Sequence, residues 1–294
     1  MNCGYVALVG RPNVGKSTLM NHLLGQKISI TSRKPQTTRH RILGISTNAH
    51  GQAIYMDTPG MHASEKRALN RHLNRTADST LLGVEVVVWL IDSLAFQEYD
   101  EEIFKKLERA GLPVILAVNK VDRVKDRGEM LAFFELAQKR YPFEHIVPIS
   151  ALKRTNLEEL ETAIMALLPI RDNIYPEDQI TDRSERFLAA EIVREKLTRR
   201  LGDELPYSLT VEIERYEDLP GISKIYAIIW VERDSQKNIV IGKDGEMLKK
   251  VGTDARFDIE KLIDKKVYLQ LWVKVKSGWS DSERALQSLG FGDI

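Results

Sequence analysis

Gly10-Arg-Pro-Asn-Val-Gly-Lys-Ser17 follows the apolar run Tyr5-Val-Ala-Leu-Val9 and opens a helical stretch from Ser17 to Leu24. A strand, a glycine-bounded turn and a helix start in that order make a cradle for a nucleoside triphosphate. Gly10 and Gly15 let the backbone wrap closely round phosphates, with Arg11, Pro12, Asn13 and Val14 forming the loop between them. The helix N-terminus adds about half a positive charge. Lys16 is placed to reach the β and γ phosphates, Ser17 to offer its hydroxyl to Mg²⁺, and Thr18 to extend the binding segment into the helix.

Three more motifs stand at the ends of later strand-like runs. Gln52-Ala-Ile-Tyr-Met-Asp57 leads into Asp57-Thr58-Pro59-Gly60, where an Asp can hold Mg²⁺ through water and the Gly60 N–H can meet a γ-phosphate. An Asx turn with Pro-Gly punctuation is the plain alternative for that motif alone. Pro113-Val-Ile-Leu-Ala-Val118 leads into Asn119-Lys120-Val121-Asp122. The Asp122 carboxylate can accept from N1 and N2 of guanine, whereas adenine would leave it unpaired. His145-Ile-Val-Pro-Ile149 leads to Ser150-Ala151, whose Ala151 N–H can bond guanine O6. Ser-Ala by itself is uninformative.

Together these residues resemble the GTPase signature set. Such a site needs a segment between the phosphate loop and Asp57 that carries a metal-binding Thr. Pro35-Gln-Thr-Thr-Arg39 fits, flanked by Arg33, Lys34, His40 and Arg41. Thr38 is favoured over Thr37 as the Mg²⁺ ligand, although spacing does not separate them, and a polar solvent-facing loop is the other reading. The catalytic set is then Lys16, Thr38, Gly60 and Asn13. Many small GTPases place a Gln after the Asp-x-x-Gly motif to orient water. Met61 stands here instead, so slow intrinsic turnover is expected. GTPases with a Gly-x-Pro-Asn-x-Gly-Lys-Ser loop use that Asn to help bind K⁺, which assigns Asn13 to potassium by resemblance; shaping the loop is its alternative role.

A chain of 294 residues with a formal charge of +1 implies two domains and no global attraction to nucleic acid. Cys3 is the one cysteine, so no internal disulfide framework is expected and a reducing, cytoplasmic compartment is. The run Val84 to Ile91 is short, contains Glu85, and reads as a buried strand, not a membrane span. The first strand starts within a few residues of Met1, which leaves no room for a signal peptide. The His residues lack ligand spacing, so no metal is expected beyond Mg²⁺ and K⁺.

Residues 1–170 alternate strand and helix patterns, an α/β doubly wound, mainly parallel sheet of the P-loop NTPase kind. Its last helix is expected to begin at a capping box, Thr155-Asn-Leu-Glu158, and to end before Pro169. Residues 171–180 lack periodicity and read as a linker. Residues 181–294 change character. A stripe of Phe187, Ala190, Val193, Leu197 and Leu201 marks a helix, followed by strand-like runs at 208–216 and 222–232. After Val240-Ile241-Gly242-Lys243-Asp244-Gly245 come a second amphipathic helix through Leu248, Val251, Ala255, Ile259 and Leu262, and a half-buried strand at 267–275.

That order, α-β-β-α-α-β with a Gly-x-x-Gly turn between the central helices, is similar to a KH (type II) domain, a smaller α+β unit that clamps single-stranded RNA. A helix-turn-helix connection is the competing reading of the turn. Between Lys237 and Lys276 ten Lys/Arg face six Asp/Glu, a local excess of +4. Ile241, Gly242, Lys243, Asp244, Gly245, Lys249 and Lys250 are the candidate RNA contacts.

Across residues 2 to 291, including these motifs and the closing Lys274-Val-Lys-Ser-Gly-Trp279, the chain resembles the Era GTPases. The resemblance implies a slow GTP-hydrolysing switch using GTP/GDP and Mg²⁺. It further implies that the KH domain binds single-stranded 16S rRNA near its 3′ end during assembly of the small (30S) ribosomal subunit, with GTP state controlling that binding. A cytoplasmic monomer with weak peripheral contact to the inner face of the membrane is also implied. Two other readings stay open from the residues: an RNA-binding module that keeps GTP as a structural clamp, and a GTPase whose C-terminal domain is a protein adaptor.

Overall fold

The computed structural model describes residues 1–32, 34, 37–57, 59, 68–79, 81, 83–202, 205–289 and 291. In the N-terminal half, strands β1 (Asn2–Val9), β2 (Ile42–Asn48), β3 (Gly51–Asp57), β4 (Val86–Ile91), β5 (Val114–Val118) and β6 (His145–Pro148) alternate with helices. These are α1 (Lys16–Leu23), α2 (Ala68–Ser79), α3 (Glu98–Ala110), α4 (Arg127–Arg140) and α5 (Leu157–Leu167). The sheet order is β2-β3-β1-β4-β5-β6. Every neighbouring pair is parallel except β2 with β3.

The central strands are apolar throughout because helices cover both faces of a parallel sheet. β4 and β5 are buried along their whole lengths. Trp89 on β4 is fully buried and packs edge-on against Phe104 with ring centroids 4.6 Å apart, and also meets Phe96 and Phe143. This aromatic cluster fixes α3 against the sheet.

β2 carries no alternating signal in sequence, since its first residues are buried on both faces. It is an antiparallel strand at the sheet edge, partly covered by residues 171–182. The Ile45 N–H donates to the Ile180 carbonyl at 2.8 Å, and the Thr181 hydroxyl donates to the Leu43 carbonyl at 2.7 Å. The fully buried Gln52 accepts from the backbone N–H groups of Ile174 and Tyr175. Aperiodic sequence here is therefore ordered by side-chain and edge-strand hydrogen bonds.

The expected capping box of α5 is absent. Asn156, at φ 55°, is the N-cap and makes no side-chain cap. Thr155 instead pairs its backbone with Ser150. The bridge closes the loop that presents Ser150 and Ala151, and that closure outweighs the local capping preference.

The C-terminal half comprises α6 (Glu185–Arg200), β7 (Leu209–Leu219), β8 (Ile222–Val231), α7 (Asp234–Ile241), α8 (Glu246–Ile263), β9 (Lys266–Val275) and α9 (Glu283–Ser288). Its sheet order is β7-β8-β9, antiparallel then parallel. Val193 and Leu197 on α6 and Val251, Ala255 and Ile259 on α8 are buried among the core residues of this half. The stripe expected on α6 is wider than a single face. Leu188, Ala189 and Ile192 are buried there, whereas Phe187 and Ala190 are only partly so.

The chain divides into two compact units. The first holds residues 1–29, 38–61 and 73–182; the second holds 30–37, 62–72 and 183–294.

Trp89→Ala should cost about 3–5 kcal/mol, through lost burial and the cavity left among the rings. Calorimetry should show a lower unfolding midpoint. An unchanged midpoint would contradict the placement of Trp89 as the centre of this core.

Candidate functional site

The candidate groups of the N-terminal unit lie just after β1, β3, β5 and β6. A mostly parallel sheet brings these carboxyl ends to one edge, where ligands bind in such folds. Gly10 succeeds β1 at φ 146°, a conformation open to glycine, and a Cβ there would meet the Leu90 carbonyl oxygen at 2.4 Å. Gly15 caps α1 at φ 111°. A Cβ on Gly15 would lie 2.3 Å from Asn119 Nδ2.

Lys16 is 6% exposed, and its ammonium donates to the Gly10 and Arg11 carbonyls at 2.8 and 3.0 Å. Burial pulls its pKa down to about 8, opposed by attraction to Asp57. The other basic residue of the loop is committed differently. Arg11 contacts Asp92 at 3.3 Å and buried Asp100 at 3.5 Å, and also donates to Gln97. It buttresses the loop against the end of β4 and the start of α3.

Asp57 terminates β3 and is completely buried. Its Oδ2 accepts from the hydroxyls of Ser17 at 2.6 Å, Ser29 at 2.6 Å and Thr38 at 3.4 Å. Ser17 Oγ and Thr38 Oγ1 are 2.9 Å apart. Asp57 Oδ1 is buried with no hydrogen-bond partner among the described residues. A carboxylate oxygen with unmet acceptor capacity, beside two hydroxyls, is a donor set suited to a hard cation such as Mg²⁺, which keeps several waters and takes the rest of its shell from substrate phosphates. No cluster of three or more His, Cys, Asp and Glu side chains suited to a metal occurs among the described residues.

Thr37 is placed differently from Thr38. Its Oγ1 donates to the Lys34 carbonyl at 2.6 Å. Thr58, Gly60 and Met61, together with Pro35 and Gln36, lie outside the described residues; Pro59 is described and buried.

Asn119 joins the phosphate loop to the other loops. Its Nδ2 donates to the Val14 carbonyl at 2.7 Å, while Oδ1 accepts from the backbone N–H of Lys120 at 2.8 Å and of Ala151 at 2.9 Å. Lys120, left-handed at φ 65°, donates to the Asn13 carbonyl at 2.9 Å and pairs with Asp92 at 2.6 Å. Val121 and Asp122 begin a short 3-10 turn. Ser150 Oγ donates to Asp122 Oδ1 at 2.5 Å, and that bond chiefly holds the exposed Asp122 carboxyl below its usual range. Asp122 is thus kept charged and oriented, as bidentate reading of guanine requires. Asn13 is exposed and left-handed at φ 64°, a conformation Asn tolerates better than most residues.

The sequence offered no signal for Ser29 or Asn21. Asn21 donates to the Ser29 carbonyl at 2.7 Å and accepts from the N–H groups of Ile28 and Ser29 at 2.9 Å, which orients the Ser29 hydroxyl toward Asp57. A side chain on α1 doing this through backbone contacts has no recognisable spacing.

In the C-terminal unit, Gly242 ends α7 at φ 74° and ψ 175°. A Cβ on Gly242 would lie 2.6 Å from Met247 Cβ, whereas one on Gly245, at φ 76°, would meet nothing within 4 Å. Asp244 is also left-handed, at φ 52°. The turn leads into the N-terminus of α8, with Lys243, Lys249 and Lys250 exposed and Ile241 partly buried against the core. Lys250 pairs with Glu246 at 2.8 Å, a surface contact of small energy.

A phosphate loop, a buried Asp beside two hydroxyls and an Asn-Lys-x-Asp turn on one doubly wound sheet define a P-loop GTPase unit, here followed by a KH unit. A family model described as 50S ribosome-binding GTPase matches residues 5–120, and one described as KH domain matches residues 204–280. GTPase Era of Marinobacter nauticus is 58% identical over 292 residues, which cover 99% of this chain and 96% of the relative. GTPase Era of Pseudomonas aeruginosa is 54% identical, with the same coverage. Among solved structures, a point variant of Aquifex aeolicus Era bound to GDP and AlF₄⁻ superposes with a TM-score of 0.96 at 40% identity, covering 99% of both chains. Era in complex with MgGDPNP and nucleotides 1506–1542 of 16S ribosomal RNA gives 0.95 at 40% identity and the same coverage. The chain belongs to the Era family of GTPases.

Asp122→Asn should weaken GTP binding by about 3 kcal/mol, roughly a hundredfold, because charge-assisted bonds to guanine are lost. Xanthosine triphosphate should bind the variant better than GTP does. Competitive titration of both nucleotides checks this, and equal affinity of the wild type for ATP and GTP would contradict the base assignment.

Proposed function

We propose that this chain is a GTP-controlled RNA-binding switch of small-subunit assembly. It binds GTP with Mg²⁺, hydrolyses it slowly, and grips unpaired 16S rRNA near the 3′ end through the turn at 242–245. The observation that carries the nucleotide half is the meeting of Ser17 and Thr38 hydroxyls at Asp57, whose Oδ1 is buried with no hydrogen-bond partner among the described residues. Bound there, Mg²⁺ supplies charge stabilisation to the transferring phosphoryl group. Lys16 adds positive charge at the β and γ phosphates, the backbone amides of the loop hold them, and Asn119 with Asp122 orients the base.

The RNA half rests on the KH unit and on the relative described in complex with 16S nucleotides 1506–1542. Gly245 leaves room for backbone approach, and the N-terminus of α8 with Lys243 and Lys249 offers positive charge to phosphate. The same reading takes the protein as a cytoplasmic monomer that meets the membrane only peripherally; among the described residues no helix is long and apolar enough to cross one. K⁺ beside Asn13 completes it, compensating for Met61 where a water-orienting Gln is usual.

Two measurements test the proposal. GTP turnover should rise when K⁺ replaces Na⁺ at equal ionic strength, and Asn13→Ala should abolish that difference; identical wild-type rates would reduce Asn13 to a loop-shaping residue. Gly245→Asp should abolish binding of an oligonucleotide from the 3′ end of 16S rRNA, since it sets a carboxylate against phosphate at a position where the fold has space. The corresponding change at Gly242 would disturb packing on Met247 as well, so Gly245 is the cleaner probe. Unchanged RNA affinity would remove the turn from the binding site.

A further inference from the structure

α6 carries charge where a packing helix needs none. Glu191, Arg194, Glu195 and Lys196 are 5%, 2%, 0% and 9% exposed. Taking charges out of water is expensive unless each finds good partners, and theirs identify a purpose. Lys196 turns toward α8, pairing with Asp258. Glu195 and Arg194 turn toward Thr31 and Thr37, which belong to the same compact unit as α6, and Glu191 is held by Arg194.

Arg194 holds Glu191 in a fork, Nε to Oε1 at 2.7 Å and Nη2 to Oε2 at 2.6 Å, and Nη2 also donates to the Thr37 carbonyl. Glu195 Oε1 accepts from the Thr31 backbone N–H at 2.9 Å. Arg199 closes a ring round the same residue, donating to the Thr31 carbonyl at 2.9 Å, to Thr31 Oγ1 at 2.8 Å and to Glu195 at 2.9 Å. Lys34 reaches back to the Leu201 and Gly202 carbonyls. Three of these bonds hold main-chain atoms of the segment, the Thr31 N–H and carbonyl and the Thr37 carbonyl, so they fix its backbone at those two residues.

The chain rejoins the N-terminal unit at either end of this segment. Ser29 just before it and Thr38 just after it both place a hydroxyl on Asp57 Oδ2. One peptide bond separates the Thr37 carbonyl held by Arg194 from the residue whose hydroxyl stands beside Ser17.

We propose that Arg194 with Glu191, and Glu195 with Arg199, are positioning residues for Thr38. They moor Thr31 and Thr37 to α6 so that the Thr38 hydroxyl stands at Ser17 and Asp57. The inference rests on the GTP-switch reading and deepens it by naming the side chains that hold the segment leading into the metal-binding threonine. GTP gains from Thr38 at the γ-phosphate and its metal; GDP has no γ-phosphate to use it. Loosening the mooring should therefore weaken GTP selectively.

Removing Arg194 alone would take the forked guanidinium from the buried Glu191 carboxylate, so the informative variant replaces both charges, Glu191→Leu with Arg194→Met. Arg199→Ala, at a largely exposed side chain, is the second variant and decides the matter if the first fails to fold by circular dichroism. Affinities for a non-hydrolysable GTP analogue and for GDP, both with Mg²⁺, are measured for wild type and variants, with and without Thr38→Ala. Analogue affinity should fall about tenfold in the double variant and less in Arg199→Ala, with GDP affinity unchanged. Once Thr38 is Ala, the same substitutions should add nothing further. Equal losses for both nucleotides, or a full effect that survives Thr38→Ala, would overturn the mooring. A wild type that binds neither nucleotide would instead overturn the reading beneath it.

Discussion

The buried carboxylate of Asp57 accepts three hydroxyl groups on one oxygen and has no hydrogen-bond partner on the other among the described residues. A fully buried anion with unmet acceptor capacity costs free energy. A cation bound beside it removes that cost. The hydroxyls come from three places in the chain: Ser17 at the start of α1, Ser29 after it, and Thr38 in the loop before β2. Any ligand that draws on Asp57 therefore bears on all three hydroxyls.

Candidate residues that lie in contiguous segments could be picked out from the chain. Gly10 to Ser17, Asp57, Asn119 to Asp122 and the Gly242 to Gly245 turn each need their residue types at short fixed spacing, because backbone amides and one or two side chains must converge on a single ligand. Their placement by the sheet is a consequence of strand order: β1, β3, β5 and β6 run parallel, so the loops leaving their carboxyl ends all arrive at one edge. The KH unit was legible from the α-β-β-α-α-β order with a Gly-x-x-Gly turn between its two central helices.

The illegible part depends on contacts distant in sequence. Arg194 and Thr37 are 157 residues apart, and nothing in a helix rich in Glu and Arg distinguishes a buried charge from a solvated one. The apolar stripe on α6 hid this, since a stripe assigns the charged positions to water. Asn119 illustrates the reverse: its motif announced a base contact, but not that its amide would also carry the phosphate loop through the Val14 carbonyl. At Thr155 a local rule lost to tertiary pairing, because bridging to Ser150 shapes the loop that holds Asp122. Thr58, Gly60 and Met61 lie outside the described residues, so the reading of Met61 still stands on sequence alone.

Nucleotide state and RNA affinity, on the proposed reading, are one coupled equilibrium. Titrating a single oligonucleotide from the 3′ end of 16S rRNA into protein loaded with a GTP analogue, with GDP, and with no nucleotide tests it most directly. The coupling predicts tightest RNA binding with the GTP analogue, by roughly 5- to 150-fold over GDP, and an equal enhancement of GTP-analogue affinity by RNA. Three equal RNA affinities would contradict it and leave two functional units joined only by the chain.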